Sequence, residues 1–269
     1  YIDLLVLFPV YLKIRLSLIS HDTLIVLCDQ ALGFYLLVTR GRPHVVHCHD
    51  FIALDASLQI IPEYRISFAG RCLQKFIRYG FRQGNMFLSV SSKTREDLHR
   101  HLCRVPEFSY VLLNPIESFY SDLQYSDHSA CNLPDGLKPN SYLLHIGKDW
   151  YKNRVGVFCI WTRLREMGSA MEVVLVGEPD QELCDLIRSK PELSPYIHIF
   201  ASISDDLIKM LYKNASALLF PSFYEGFGWP ILEAMACNCT VFTTNSPPMN
   251  EIGGTFVKYL PPPPTPSAQ

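Results

Sequence analysis

The sequence predicts an α/β protein made of two parallel-sheet units in series, each with helices on both faces. Three observations carry this. Short apolar runs with β-branched residues alternate with helical stretches over the first part of the chain. The pattern breaks over residues 114–140, where Pro, Ser, Asp, Asn and Gly collect, and it restarts at Tyr142. Strand–helix alternation builds a parallel sheet, because each crossover helix packs on a face while the chain returns to start the next strand. At 269 residues the chain suits one large or two modest domains, and 48% hydrophobic residues supply their cores.

The elements follow in order. Residues 4–12 are apolar, but Asp3, Lys13 and Arg15 bracket them and Pro9 interrupts them. A bilayer span takes about 20 apolar residues, and the charged start and small-residue cleavage site of a signal peptide are missing. An amphipathic helix packed on a sheet is expected here, with a helix lying on a membrane surface as the other reading. Strands are expected over 23–28, 44–48, 85–90 and 110–113, and helices over 70–81 and 93–102. Ser91 or Ser92 is placed to cap the second of these helices. The domain boundary belongs in the stretch where periodicity fails, giving a first unit over 1–125 and a second over 126–256. In the second unit strands are expected over 142–146, 172–176, 196–200, 217–220 and, last, 240–243. Helices are expected over 154–167, 181–189, from a Ser202 or Ser204 cap to 212, and over 229–236. The Pro-rich residues 257–269 read as a disordered tail.

Composition excludes some functions. The net charge is −2 and the basic residues form no dense run, which argues against nucleic-acid binding. The nine cysteines are scattered, with no Cys-x-x-Cys pair or zinc spacing. That pattern implies a reduced, cytoplasmic chain with buried thiols.

Ligands of open parallel sheets bind outside the carboxyl ends of the strands. His49 and Asp50, then Lys148, then Glu225 each follow an expected strand, and two such units in series imply a cleft between them. The richest segment is Glu225-Gly-Phe-Gly-Trp-Pro-Ile-Leu-Glu233. Its first carboxylate lies in a glycine-bearing loop and its second in the helix that follows. Gly226 and Gly228 let a ligand approach the backbone, and Pro230 suits the first helical turn, where a missing N–H costs nothing. A helix N-terminus offers bare N–H groups and a partial positive charge to a phosphate, while carboxylates beside it can hold sugar hydroxyls. The site suggested is one for a nucleotide-sugar. On spacing alone, two solvated glutamates on an ordinary strand–loop–helix remain open. A second segment, His145-Ile-Gly-Lys-Asp-Trp-Tyr-Lys-Asn-Arg154, sets Lys148, Lys152 and Arg154 between a strand end and a helix start, where cations can neutralise a departing diphosphate. A third, Pro43-His-Val-Val-His-Cys-His-Asp50, puts His47 and His49 on one face of a strand end. Metal binding by these histidines lacks a further ligand set, and a structural role for His49 stays open.

Taken together, Phe220-Pro-Ser-x-x-Glu-Gly-Phe-Gly-x-Pro-x-x-Glu-Ala-Met-Ala and Asn250-Glu-Ile-Gly-Gly resemble the retaining glycosyltransferases of family four, which have the GT-B fold of two Rossmann-like domains. The resemblance runs from about His44 to Gly254 and is most specific in its last forty residues or so. It implies that Glu225 contacts donor-sugar hydroxyls, that Glu233 holds the ribose, and that backbone N–H groups of Gly226, Phe227 and Gly228 lie against sugar or phosphate. It further implies that Lys148 and Lys152 stabilise the leaving diphosphate, with Arg154 beside them, and that His49 contacts the reacting region. Lys148 departs from the family's usual arginine, and Asn238 and Thr240 from its Gly and Pro. Relative to that family the first domain looks truncated and the last helices are missing. No Asp-x-Asp occurs, in keeping with an enzyme that needs no metal or cofactor.

The expectation is therefore a retaining hexosyltransferase of the bacterial polysaccharide type. It would be cytoplasmic or at the inner face of the membrane, using a nucleotide-sugar donor and a glycan or lipid-linked acceptor, with no nucleic acid and with a peripheral membrane contact left open. A non-catalytic nucleotide-sugar-binding fragment and another enzyme on the same architecture, such as a sugar-nucleotide epimerase, are the alternatives.

Overall fold

The computed structural model describes residues 3–39, 41–121, 133–134 and 136–261. The chain divides into two compact units, one ending at Asn114 and the other beginning at Pro115. The boundary expected at 125 lies outside the described residues. The segment before it already belongs to the second unit, where Tyr120 is buried in the core and Phe119 packs against it.

The first unit runs α1 (Phe8–Ser17), β1 (Ile25–Leu27), a 3-10 helix (Gln30–Leu37), β2 (His44–Cys48), α2 (Ile52–Ser57), α3 (Phe68–Phe81), β3 (Met86–Ser89), α4 (Ser92–Leu102) and β4 (Phe108–Val111). Its four strands lie in the order β1-β2-β3-β4, all parallel. Ser91 is the cap of α4, its hydroxyl accepting the Thr94 N–H at 3.1 Å. The 3-10 helix packs closely on α3. A Cβ at Gly80 would stand 2.1 Å from Phe34 Cα, so only glycine permits this approach. Phe34, Phe51, Phe81, Phe87 and Val46 form the centre of the core.

The N-terminal segment differs from expectation. It is helical, but Leu16 is the only buried residue of α1, while Val10, Tyr11 and Ile14 are exposed. Its apolar residues spread around the 3.6-residue turn instead of forming one stripe, so this helix is not amphipathic. Phe8 and the Leu4 carbonyl anchor it on Tyr35.

The second unit runs α5 (Ser118–Ser121), β5 (Tyr142–Ile146), α6 (Arg154–Glu166), β6 (Glu172–Val176), α7 (Gln181–Ser189), β7 (Ile197–Phe200), α8 (Asp205–Asn214), β8 (Ala217–Phe220), α9 (Trp229–Ala236), β9 (Val241–Thr244), α10 (Met249–Gly253) and β10 (Lys258–Leu260). The parallel sheet has the order β10-β9-β8-β5-β6-β7. Alternate residues of its strands enter two different cores, Tyr142, Leu144, Leu218 and Phe220 on one face, Leu143, Ala217 and Leu219 on the other. Burial on both faces explains why these strands read as continuous apolar runs. Strand β10, paired to β9, extends the sheet beyond the strand expected to be last. Asn238 takes the left-handed backbone that asparagine tolerates, with φ +57°.

The thiols also depart from expectation. Cys48, Cys237 and Cys239 are buried, but Cys28, Cys72, Cys103 and Cys159 are exposed, and all are free. Four of them lie outside the strand interiors, in helices or loops, where a neighbouring apolar residue does not imply burial. Among the described residues, no helix is long and apolar enough to cross a membrane.

Candidate functional site

The strand order of the second unit has one reversal. From β5 the chain steps through β6 to β7 on one side, then returns to β8 on the other side of β5 and continues outward. The loops after β5 and β8 therefore diverge at their carboxyl ends, which is the crevice where open α/β sheets bind ligands. Residues 147–153 form one loop and 221–228 the other.

These loops are stitched together. Asn153, at φ +59°, caps α6 by accepting the Gly156 N–H on Oδ1 at 3.0 Å, and its Nδ2 donates to the Pro221 carbonyl at 3.0 Å. The Phe223 N–H donates to the Tyr151 carbonyl at 2.8 Å. Lys152 Nζ donates to Glu225 Oε1 at 2.7 Å, with side-chain exposures of only 15% and 8%. Gly147 makes room for this lysine. Its φ is +123°, and a Cβ there would meet Lys152 Cγ at 2.8 Å. The Lys152 ammonium also lies 5.1 Å from the centre of the Phe220 ring. Trp150, Phe223 and Tyr224 cluster beside the pair.

The three basic residues of this segment have three different situations. Lys152 is paired. Lys148 is exposed, with no side-chain partner among the described residues, so it can meet a phosphate directly. Arg154 is turned inward. Its side chain is 2% exposed, and the guanidinium donates to the carbonyls of Gly177 (3.2 Å), Glu178 (2.5 Å) and Lys148 (3.4 Å), with Asp180 Oδ2 at 3.4 Å. Its two terminal nitrogens tie the β5–α6 loop to the β6–α7 loop, while Nε is buried without a partner among the described residues, so the phosphate contact expected of it from sequence is not the arrangement observed. Beneath the site, His145 is fully buried, and burial pulls its imidazole down to about 4, so it is neutral and structural.

Gly228 starts α9 at φ +102° as its N-cap, without a side-chain cap, and Pro230 lies in the first turn. As a glycine it supplies no side-chain acceptor to the N–H groups at this end, and the Ile231 N–H donates to its carbonyl at 3.0 Å. Phe227 is buried against Trp229. A little over one turn on, Glu233 Oε2 accepts the Tyr212 hydroxyl at 2.8 Å. Burial raises the Glu233 carboxyl above its ordinary value, with Glu117 and Asp205 adding to the rise, while Tyr212 and Lys152 oppose it. Lys152 thus acts electrostatically on both glutamates of the segment.

In the first unit, the rings of His47 and His49 meet edge to face at 4.5 Å. His49 Nε2 lies 2.9 Å from the Cys28 carbonyl. A carbonyl only accepts, so Nε2 carries the hydrogen and Nδ1 is the acceptor of the neutral ring. The His49 N–H donates to Gln30 Oε1, and its carbonyl accepts the Thr94 hydroxyl. Burial lowers the pKa of His47, aided by His49 and opposed by Asp29. Among the described residues no group of three or more His, Cys, Asp or Glu side chains could hold a metal ion.

Sequence reasoning missed Asn153 and Tyr212. Asn153 had a signal, because asparagine three residues before Gly156 fits a helix cap on a left-handed backbone. Tyr212 had none, since its contact with Glu233 spans two helices.

Residues 142–269 match the family described as "Glycosyl transferases group 1". The O-antigen chain mannosyltransferase B of Escherichia coli is 27% identical over 74% of this chain and 54% of its own length. The MMP alpha-(1->4)-mannosyltransferase of Mycolicibacterium hassiacum is 27% identical over 84% of this chain and 54% of its own. The chain thus spans about half the length of these curated relatives. Among solved structures, sucrose-phosphate synthase from Thermosynechococcus elongatus has a TM-score of 0.72, covering 96% of this chain and 65% of that one at 17% identity. At that identity the likeness speaks for the fold. The match to the group 1 glycosyl transferases thus falls on the second unit, which carries the reversal-point loops with Lys152 and Glu225, and the solved structures share the fold.

Proposed function

We propose that this chain carries the donor-binding part of a retaining glycosyltransferase that moves a hexosyl group from a nucleoside diphosphate to a glycan hydroxyl in bacterial surface-polysaccharide synthesis. The observation that carries the reading is the mostly buried Lys152–Glu225 pair held at the sheet's reversal point, with Lys148 exposed at the rim, unpaired among the described residues, and the N-terminus of α9 beside it. The cations and helix terminus suit a diphosphate whose negative charge grows as the sugar leaves. Glu225 suits the sugar hydroxyls, and Glu233, oriented by Tyr212, suits the ribose. On the first unit, His49 offers a fixed acceptor nitrogen to a hydroxyl. No side chain here is placed as a covalent nucleophile, so the reading assigns attack on the same face from which the phosphate departs. Mannosyl is the first group to assay, because several relatives are named as mannosyltransferases.

The test is transfer from GDP-mannose, UDP-glucose and UDP-galactose to saccharide acceptors by wild type, Lys152→Gln and Glu225→Ala. Each variant should lose about 10²–10³ in kcat, the scale of one preorganised charge at a transition state. Transfer at the wild-type rate in both variants overturns the assignment.

A further inference from the structure

The first unit contains a cavity of ≈ 100 Å³ that no role above uses. It lies at the carboxyl ends of two neighbouring strands. Asp29 and Gln30 follow β1, Asp50 follows β2, Gln74 comes from α3, and Phe51 and Phe81 supply apolar wall. Its polar groups are set by the fold. Asp29 Oδ1 accepts the Ala31 N–H at 2.6 Å, leaving Oδ2 without a hydrogen bond among the described residues. Gln30 Oε1 accepts the His49 N–H at 2.8 Å, which orients the amide and leaves its two N–H donors. The Gln74 amide, half-buried, has no partner among the described residues. Asp50 Oδ1 accepts the Ile52 N–H at 3.0 Å. No Lys or Arg lines the cavity.

We propose that this cavity binds one end of an uncharged saccharide, a hydroxymethyl arm or a pair of neighbouring hydroxyls, and discriminates against phosphorylated sugars. A hydroxyl both donates and accepts, so it can satisfy Asp29 and an amide together. A phosphate only accepts, and here it meets two carboxylates in a lining that holds no Lys or Arg. The apolar wall suits the C–H face of a pyranose. The volume takes an edge of the ring, so the remainder of a longer glycan stays outside. Gln30 links the cavity to the His49 backbone, and Asp50, the next residue, is in its wall, so a seated sugar lies close in the chain to the histidine read above as the hydroxyl acceptor. That role in transfer rests on the proposed function; saccharide binding itself does not.

The experiment is ¹H–¹⁵N spectroscopy of the protein titrated with methyl α-mannopyranoside, methyl α-glucopyranoside and mannose 6-phosphate, read at the backbone amides of Ala31, Ile52 and Gln74. At least one methyl glycoside should shift all three amides, and mannose 6-phosphate should bind at least fivefold more weakly. Gln74→Ala should weaken the glycoside at least threefold, and Ala53→Leu, which fills the cavity, should abolish the shifts. Asp29→Asn should narrow the gap between mannose 6-phosphate and the glycoside. The inference is overturned if no glycoside shifts these amides, if mannose 6-phosphate binds as tightly, or if Gln74→Ala binds like wild type. GDP and UDP titrations followed at Gly147, Lys152 and Gly228 report on the donor reading separately. Failure there with glycoside binding intact sinks the transferase assignment and leaves the cavity assignment standing.

Discussion

Replacing Arg154 separates a structural guanidinium from a phosphate ligand. In Arg154→Ala, the carbonyls of Gly177 and Glu178 lose donors at 3.2 and 2.5 Å. The longer contacts, at 3.4 Å to the Lys148 carbonyl and Asp180, contribute little. Two charge-assisted bonds at roughly 1.5–3 kcal/mol each give a loss of about 3–6 kcal/mol. Water does not readily replace them, because the side chain is 2% exposed. For a unit of this size, each kcal/mol shifts Tm by about 2–4 °C, so a fall of roughly 10 °C is expected. Arg154→Lys keeps the charge but not the fork that reaches several carbonyls, and should fall in between. Lys148→Ala serves as the contrast. Its side chain is exposed and unpartnered, so Tm should hold while GDP or UDP affinity drops about tenfold, the scale of one charge–phosphate bond. The assays are differential scanning calorimetry and titration calorimetry on the same preparations. An Arg154→Ala protein that melts like wild type yet loses nucleotide affinity would refute the structural account and restore a phosphate contact.

Two further outcomes follow from the same loops. Because burial raises the Glu233 pKa, the native protein holds that proton more tightly than the unfolded chain. Stability from this group is greatest in acid and is lost as pH rises from the ordinary carboxylate value through the raised native value. Glu233→Gln keeps an acceptor for Tyr212 without the charge, so urea denaturation should show it gaining on wild type above that window and matching it below; a pH-independent difference contradicts this. Asn153→Ala loses a cap of about 1 kcal/mol and a bond of about 1 kcal/mol to Pro221, and it forces alanine to φ +59° at a cost of about 1 kcal/mol. Asn153→Gly avoids the last cost, so it should be the more stable variant by about 1 kcal/mol; equal midpoints in urea would deny the backbone contribution.

Much of the second unit was legible because its strands are buried on both faces and its helices carry their own signals. The strands 142–146, 172–176 and 217–220 and the helices 181–189 and 229–236 have the expected bounds. Ser204 and Ser91 cap as read, each accepting an N–H three residues on. Other features depended on packing that no local pattern records. The 3-10 helix Gln30–Leu37 is stabilised by its approach to Gly80, a contact between segments far apart in sequence. Helix α2 is short and begins at Ile52 without an Asx or Ser signal at its N-cap. At the site, charge type and strand position identified Lys148, Lys152, Glu225 and Glu233 as candidates. They could not separate Arg154 from Lys148, because the direction of a side chain at a helix start depends on which carbonyls the adjoining loops present.

The Lys152–Glu225 pair also bears on which ligand this crevice would favour. At 2.7 Å and mostly buried, each group neutralises the other, and separating them exposes two charges to a medium that screens weakly. A nucleoside diphosphate alone can take the lysine, but the glutamate then loses its ammonium partner and faces the incoming negative charge. An intact nucleotide-sugar supplies both replacements, phosphate oxygens for Lys152 and sugar hydroxyls for Glu225. On the proposed reading, the same pair that holds the empty loops together therefore weights binding toward the donor over the nucleotide product. Asn153 and the Phe223–Tyr151 backbone bond keep the loops joined while the pair is open. The exchange then requires side-chain movement only, with the reversal-point crevice already formed.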